Sequence, residues 1–256
     1  MVMPLYDDNP FAPSVKPVVT WCLIALNLGV FLYEAGASQL ALERVIDTFS
    51  LTPAALVGDM PARGWVPAWA TLVSYQFFHA DIGHLLGNMI FLWVFGDDIE
   101  RALGRMRFLV FYLFSGVIGG LVFVANAHGS GIELIGASGA IAGVVIGYIM
   151  LRPCAKITVL IGIIPLRISA YWVIGLFVIT QLWNLGAASK SEVAYWCHFG
   201  GLVTGGILFP LLKPRWVRLF ECRQPVRDTV VQIAPSRRRA NSEAGQRPLT
   251  PRGGGH

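Results

Sequence analysis

Apolar positions in this chain run together instead of alternating with polar ones on a helical or strand period. Five stretches are free of charge: Pro17–Tyr33 (17 residues), Phe108–Ile132 (25), Leu134–Leu151 (18), Ile168–Ser189 (22) and Val193–Leu212 (20). A sixth, Ile82–Gly96, has 15 residues, and Asp81 alone separates it from the charge-free stretch 64–80. Crossing a bilayer core takes ~20 apolar residues, with about 17–25 tolerated. The pattern therefore predicts six transmembrane helices, and the fold class expected is an all-α polytopic membrane protein.

Composition excludes the soluble alternatives. Only 14% of the 256 residues are charged and 55% are hydrophobic, with mean hydropathy +0.59. A soluble domain usually carries ~25% charged residues, and a disordered chain carries few apolar ones. The segment before the first run, MVMPLYDDNPFAPSVK, has two acids and one Lys where a cleaved signal would be basic, so the first run is expected to stay as an anchor. The four cysteines (Cys22, Cys154, Cys197, Cys222) are widely spaced without a C-x-x-C pair. They are read as separate buried thiols and not as a disulfide framework.

Charge sets the orientation. With the N-terminus inside, 17 of the 20 Lys and Arg fall on inner segments and only Arg44, Arg63 and Lys190 fall outside. Three regions follow: residues 1–17 as a cytoplasmic N-terminal segment, 18–213 as a six-helix membrane domain, and 214–256 as a basic, disordered cytoplasmic tail. Such a tail fits contact with anionic lipid headgroups better than a nucleic-acid arm, and no nucleic-acid partner is expected. The first outer loop, about residues 35–80, is too apolar to be fully solvated and should lie partly in the membrane interface, with Trp65 and Trp69 at headgroup depth. The segment KITVLIGIIPLRIS is too short and interrupted to cross and should lie along the inner surface.

A few polar residues inside the runs carry the chemistry. His84 and Asn88 sit four apart on one face of the second span, with His79 five residues before His84. Ser138 opens the fourth span, and Gly139, Gly143 and Gly147 follow at four-residue intervals. His198 lies in the first turns of the sixth span and shares a face with Gly201 and Gly205. Each has a plain packing explanation: an interhelical hydrogen bond for Asn88, a small residue in a close-packed stripe for Ser138, a carbonyl partner for His198. Spans two, four and six all run from outside to inside, however, so four polar groups from three spans share one depth near the outer face. Independent packing roles would not require that coincidence. The set supports acyl transfer, with Ser138 as nucleophile and His198 as its base. Asn88, His84 and the Ser138 backbone N–H could donate to a developing oxyanion. No Asp or Glu shares this depth, so a Ser-His dyad is expected.

These residues resemble the rhomboid family of intramembrane serine proteases over most of residues 70–212. Gly136-Ala137-Ser138-Gly139 matches the family's G-x-S-G motif, and His84 to Asn88 matches its H-x-x-x-N. His198, Gly201 and Gly205 match its last-span H-x-x-G-x-x-x-G, while Gly96, Glu100 and Gly104 fit a structural G-x-x-x-E-x-x-x-G. The resemblance implies a six-helix rhomboid-like bundle. It also implies cleavage of transmembrane protein substrates, typically single-span, near the outer membrane face without metal or cofactor. Ala142 stands where members often have Tyr or Phe against the catalytic His, and the family's Trp-Arg pair in the first loop is absent, Arg63 and Trp65 being nearest. The sequence therefore names no support for the His198 ring. A transporter or channel would string polar groups across the membrane, and a non-catalytic chaperone of the same fold would differ only in chemistry. With no transit peptide recognised, the location expected is a bacterial cytoplasmic membrane, with both termini cytoplasmic; oligomeric state stays open.

Overall fold

The computed structural model describes residues 2–7, 16–162, 164–186 and 195–222; the expected loop around Lys190 and residues 223–256 lie outside them. Each of the six apolar runs carries a helix: α1 (Val18–Gly36), α5 (Ile82–Leu103), α6 (Arg105–Asn126), α7 (Ser138–Leu151), α8 (Ala170–Gly186) and α9 (Tyr195–Leu212). Between α1 and α5 lie three short helices, α2 (Gln39–Phe49), α3 (Pro53–Val57) and α4 (Thr71–Ser74). Of the six, α1, α6 and α9 are long and apolar enough to cross a membrane alone. A fourth candidate joins α5 to the helical stretch Ala68–Phe77, with an 82° bend between them, while α7 and α8 are shorter apolar helices. Helix length and apolarity thus give three or four spans, fewer than the six expected.

The fold is mostly helical but not all-α. Val2–Asp7 (β1), Lys156–Ile161 (β2) and Ile164–Ser169 (β3) form an antiparallel sheet in the order β1-β2-β3. The segment KITVLIGIIPLRIS, expected to lie flat, is the β2–β3 hairpin, with Lys156 opposite Ser169 and Ile161 opposite Ile164. Its β-branched residues favour extended backbone, and Gly162, at φ +64°, supplies the turn. The N-terminal strand closes on this hairpin, with Asp7 opposite Ile157.

The G-x-x-x-E-x-x-x-G residues join α1 to α5. Glu100 Oε1 and Oε2 accept the backbone N–H groups of Val19 and Thr20 at 2.9 and 2.7 Å, and the Thr20 hydroxyl donates to Oε2 at 2.8 Å. A buried carboxylate thus caps the α1 N-terminus, where N–H groups lack intrahelical partners and the dipole favours negative charge. A Cβ at Gly96 would lie 3.1 Å from Thr20 Cγ2, so the motif's first glycine lets α1 approach. Gly104, at φ +82°, reverses the chain between α5 and α6.

Beyond α9 the chain stays attached to the helical body. Residues 214–222, assigned from sequence to the tail, bury Val217 in the core, and the Phe220 N–H donates to the Met150 carbonyl at 2.8 Å. Cys154 and Cys222 form a disulfide across 68 residues, contrary to the reading of four separate thiols. The segments following α7 and α9 bring their Cα atoms to 5.1 Å, a proximity that sequence spacing conceals. Cys22 is exposed, also contrary to expectation, and Cys197 is a buried free thiol.

Candidate active site

The loop leading to Ser138 is held from several directions. Leu51 and Leu134 exchange backbone hydrogen bonds at 3.0 and 2.9 Å, and the Gly136 N–H donates to the Tyr75 carbonyl at 2.9 Å. Tyr75 is fully buried, and its hydroxyl donates to the Gly116 carbonyl of α6 at 2.7 Å. Arg63 bridges Asp47 and Glu133 at 3.0 and 2.6 Å, joining the first loop to the segment before Ser138. Glu133 is pushed above the usual carboxylate range by burial, which outweighs the pull of Arg63. Trp65 packs edge-on against Phe49 at 5.7 Å, and the exposed faces of Trp65 and Trp69 point away from the protein.

Gly136 makes the turn into α7. Its φ of +126° is strained for any L side chain, and a Cβ there would lie 2.7–2.8 Å from the His84 ring. The same position is 3.8 Å from Asn88 Nδ2, so the H-x-x-x-N face of α5 closes directly on the G-x-S-G turn. The Asp81 side chain accepts the His84 N–H at 2.9 Å and caps α5, and that bond holds its carboxyl below the usual range.

α9 reaches α7 and α6 through backbone. A Cβ on Gly201 would collide with the Gly139 carbonyl, and one on Gly205 would lie 2.5 Å from the Gly143 Cα. On the other side, a Cβ on Gly200 would lie 2.9 Å from the Gly119 Cα of α6, a third glycine-bearing helix that the sequence reading did not single out. Side-chain-free contact of this kind fixes the spacing and register of membrane helices. It brings Ser138 Oγ and His198 Nε2 to 2.7 Å.

All four expected side chains therefore converge on one end of α7. Ser138 and His198 are hydrogen-bonded, and His84 and Asn88 adjoin Gly136 two residues before the serine. The Asn88 amide nitrogen is buried with no partner among the described residues. A donor left unpaired in a buried site is available to an oxygen brought by a ligand. His79 is also buried, edge-on to the His84 ring at 5.1 Å, and neither ring nitrogen has a hydrogen-bond partner among the described residues. The arrangement can deprotonate a hydroxyl and donate to a nearby oxyanion. Sequence reasoning missed Gln181 of α8, whose Oε1 lies 2.7 Å from His198 Nδ1. The available signal was a polar amide within an apolar run.

The family model for the rhomboid domain matches residues 67–215, more than half the chain, and spans the whole set of motifs. The chain belongs to the rhomboid family. Among its rhomboid relatives, the protease GluP of Bacillus subtilis is 30% identical over 195 residues, which is 74% of this chain and 34% of that protein. The mitochondrial rhomboid protein 1 of Saccharomyces cerevisiae is 29% identical over 149 residues, 56% of this chain and 42% of that protein. The protease GlpG of Klebsiella pneumoniae is 28% identical over 216 residues, 78% of this chain and 66% of that protein. The matches to GluP and the yeast protein thus cover less than half of either relative's length. Membership, together with its long apolar helices, makes this rhomboid chain an integral membrane protein.

Proposed function

We propose that this chain is an intramembrane serine protease that cleaves transmembrane protein substrates, single-span ones first, near the outer membrane face. The observation that carries the reading is the 2.7 Å hydrogen bond between Ser138 Oγ and His198 Nε2. His198 takes the hydroxyl proton as Oγ attacks the scissile carbonyl carbon, and the carbonyl π electrons move to oxygen. Asn88 Nδ2, the His84 ring and the Ser138 N–H donate to that oxyanion. His198 then returns the proton to the leaving amine, and water, deprotonated by the same ring, hydrolyses the acyl-enzyme. No cofactor is needed for these steps.

All six apolar helices are taken as spans, including the short α7 and α8, because polar groups at the mouth of a short helix are those that water can reach from one side. Both termini lie on the cytoplasmic side of a bacterial cytoplasmic membrane in this reading, and the 17-to-3 distribution of basic residues supports that orientation. The same orientation puts the Cys154–Cys222 disulfide on the reducing side, where it is expected to open to two adjacent thiols. The test is cleavage of a single-span peptide by the purified chain in liposomes. Wild-type protein should cut it, and Ser138→Ala should lose at least ~10³-fold in rate. Equal cutting by both would overturn the reading.

A further inference from the structure

The face that α8 turns to the protein is apolar at Ala170 and Ile174, both fully buried, and polar at Gln181, which is 7% exposed. Its opposite face, with Leu176, Ile179 and Trp183, is exposed. Two neighbouring polar side chains satisfy themselves locally: the Thr180 hydroxyl donates to the Phe177 carbonyl at 2.7 Å, and Asn184 Nδ2 donates to the Thr180 carbonyl at 2.7 Å. Gln181 donates locally as well, from Nε2 to the Thr180 hydroxyl at 3.4 Å, but its oxygen reaches another helix. Its Oε1 lies 2.7 Å from His198 Nδ1, on the side of the ring opposite Ser138. A buried amide in an apolar run is costly unless its bonds are made, and this one is made to the base of the dyad.

The structure assigns Gln181 as the positioning residue of the site: it accepts the Nδ1–H of His198 and so fixes the tautomer and ring plane in which Nε2 faces Ser138. The assignment rests on the Ser138–His198 reading above. A neutral imidazole carries one proton, and for Nε2 to accept from Ser138 that proton must sit on Nδ1 and needs an acceptor. In serine hydrolases with a third member the acceptor is commonly a carboxylate. Here it is a neutral amide oxygen. When Nε2 gains the serine proton the ring becomes an imidazolium, and Oε1 keeps its bond to Nδ1–H, now charge-assisted but without a countercharge. The support that Ala142 does not provide from α7 thus comes from α8. Among the described residues, the other groups facing the ring are the Ser138 hydroxyl of α7, the His84 ring of α5 and the Tyr195 ring of α9, the last edge-on at 6.1 Å.

The experiment compares wild type, Gln181→Leu, Gln181→Glu and Ser138→Ala in liposomes, measuring kcat, KM, melting temperature and the pH profile of kcat/KM with one single-span peptide. Losing the acceptor should lower kcat of Gln181→Leu by about 10–100-fold, less than the roughly 10²–10⁴-fold that a positioned general base contributes because the base itself remains, with KM within about twofold. Gln181→Glu, which can only accept, should recover to within about tenfold of wild type and move the acidic limb of the profile to higher pH, because a carboxylate favours the imidazolium. A packing role would instead lower melting temperature in both variants and leave the pH limb in place, and that result overturns the assignment. So does wild-type kcat in Gln181→Leu. Failure of the dyad reading looks different: wild-type protein and Ser138→Ala would then cleave alike, whatever Gln181 does.

Discussion

At the N-terminal end of α7, Ser138 meets His198, and the nearby Asn88 amide nitrogen has no partner among the described residues. About 20 Å away by helix rise, just past its C-terminal end, Arg152 lies between two carboxylates, Asp7 at 2.9 Å and the fully buried Asp98. Tyr148 also donates to Asp7 at 2.5 Å. The Cys154–Cys222 disulfide and the β1-β2-β3 sheet belong to this second end. Charged groups there are matched to each other, which holds the N-terminal strand, α5 and α7 together. At the first end the site itself uses neutral groups, with the Arg63–Asp47–Glu133 bridge set back in the loops before it; two of the neutral groups face each other and one donor has no partner among the described residues. One end is arranged for cohesion and the other for a ligand. Unpartnered buried polar atoms occur at both ends among the described residues, Asp98 Oδ1 and Thr158 Oγ1 at the second, so what sets the first end apart is an acid–base pair beside an unpartnered donor, and what sets the second apart is matched opposite charge.

Substitutions at the two ends should separate along this line. The largest effect expected is on turnover at the first end. Ser138→Ala and His198→Ala should each lose at least ~10³-fold in kcat, and the double variant should lose no more than the worse single one, because nucleophile and base act as a unit. Melting temperature should stay close to wild type in Ser138→Ala. Additive losses would mean that the two side chains do not work together.

The second expected effect has the opposite character. Arg152→Met removes the positive charge from Asp98 and leaves Asp7 with the Tyr148 hydroxyl, and should destabilise by about 3–5 kcal/mol, the cost of breaking a buried ion pair from one side. Thermal unfolding measures it, and adding Asp98→Asn should recover part of the loss. Turnover per folded molecule should be near wild type. A stable Arg152→Met protein with impaired kcat would erase the distinction between the ends.

The smallest effect, and the sharpest for the comparison, is at Asn88. In the proposed mechanism Asn88 is an oxyanion donor and acts on the transition state, so Asn88→Ala should lower kcat by ~10-fold or more with little change in KM or melting temperature. The loss should fall short of that from removing a sole donor, because His84 and the Ser138 amide remain. Lower stability with unchanged kcat would move Asn88 to the cohesive class.

Much of the first end was legible in the sequence because membrane helices impose strong patterns. Charge-free runs located six helices, and counting spans put Ser138, His198, His84 and Asn88 at one depth. Glycine spacing announced the α7–α9 contact. The second end was poorly legible because its partners are distant in sequence. Nothing near Asp7 points to Arg152, 145 residues away, nor anything near Cys154 to Cys222. The β2–β3 hairpin did carry a signal, a β-branched run broken at Gly162, which its high hydropathy masked. Gln181 was passed over because one amide in an apolar run has many ordinary explanations, and only the position of α8 against α9 selects among them.

The most direct test of the account is covalent. The purified wild-type chain in liposomes is treated with a fluorophosphonate, digested and mapped by mass spectrometry, alongside Ser138→Ala, His198→Ala and Arg152→Met. The account predicts a single adduct on Ser138 in wild type, absent from Ser138→Ala, at least ~10²-fold slower in His198→Ala and formed at the wild-type rate by folded Arg152→Met. An adduct on another serine, or labelling of Ser138 that is indifferent to His198, would contradict it.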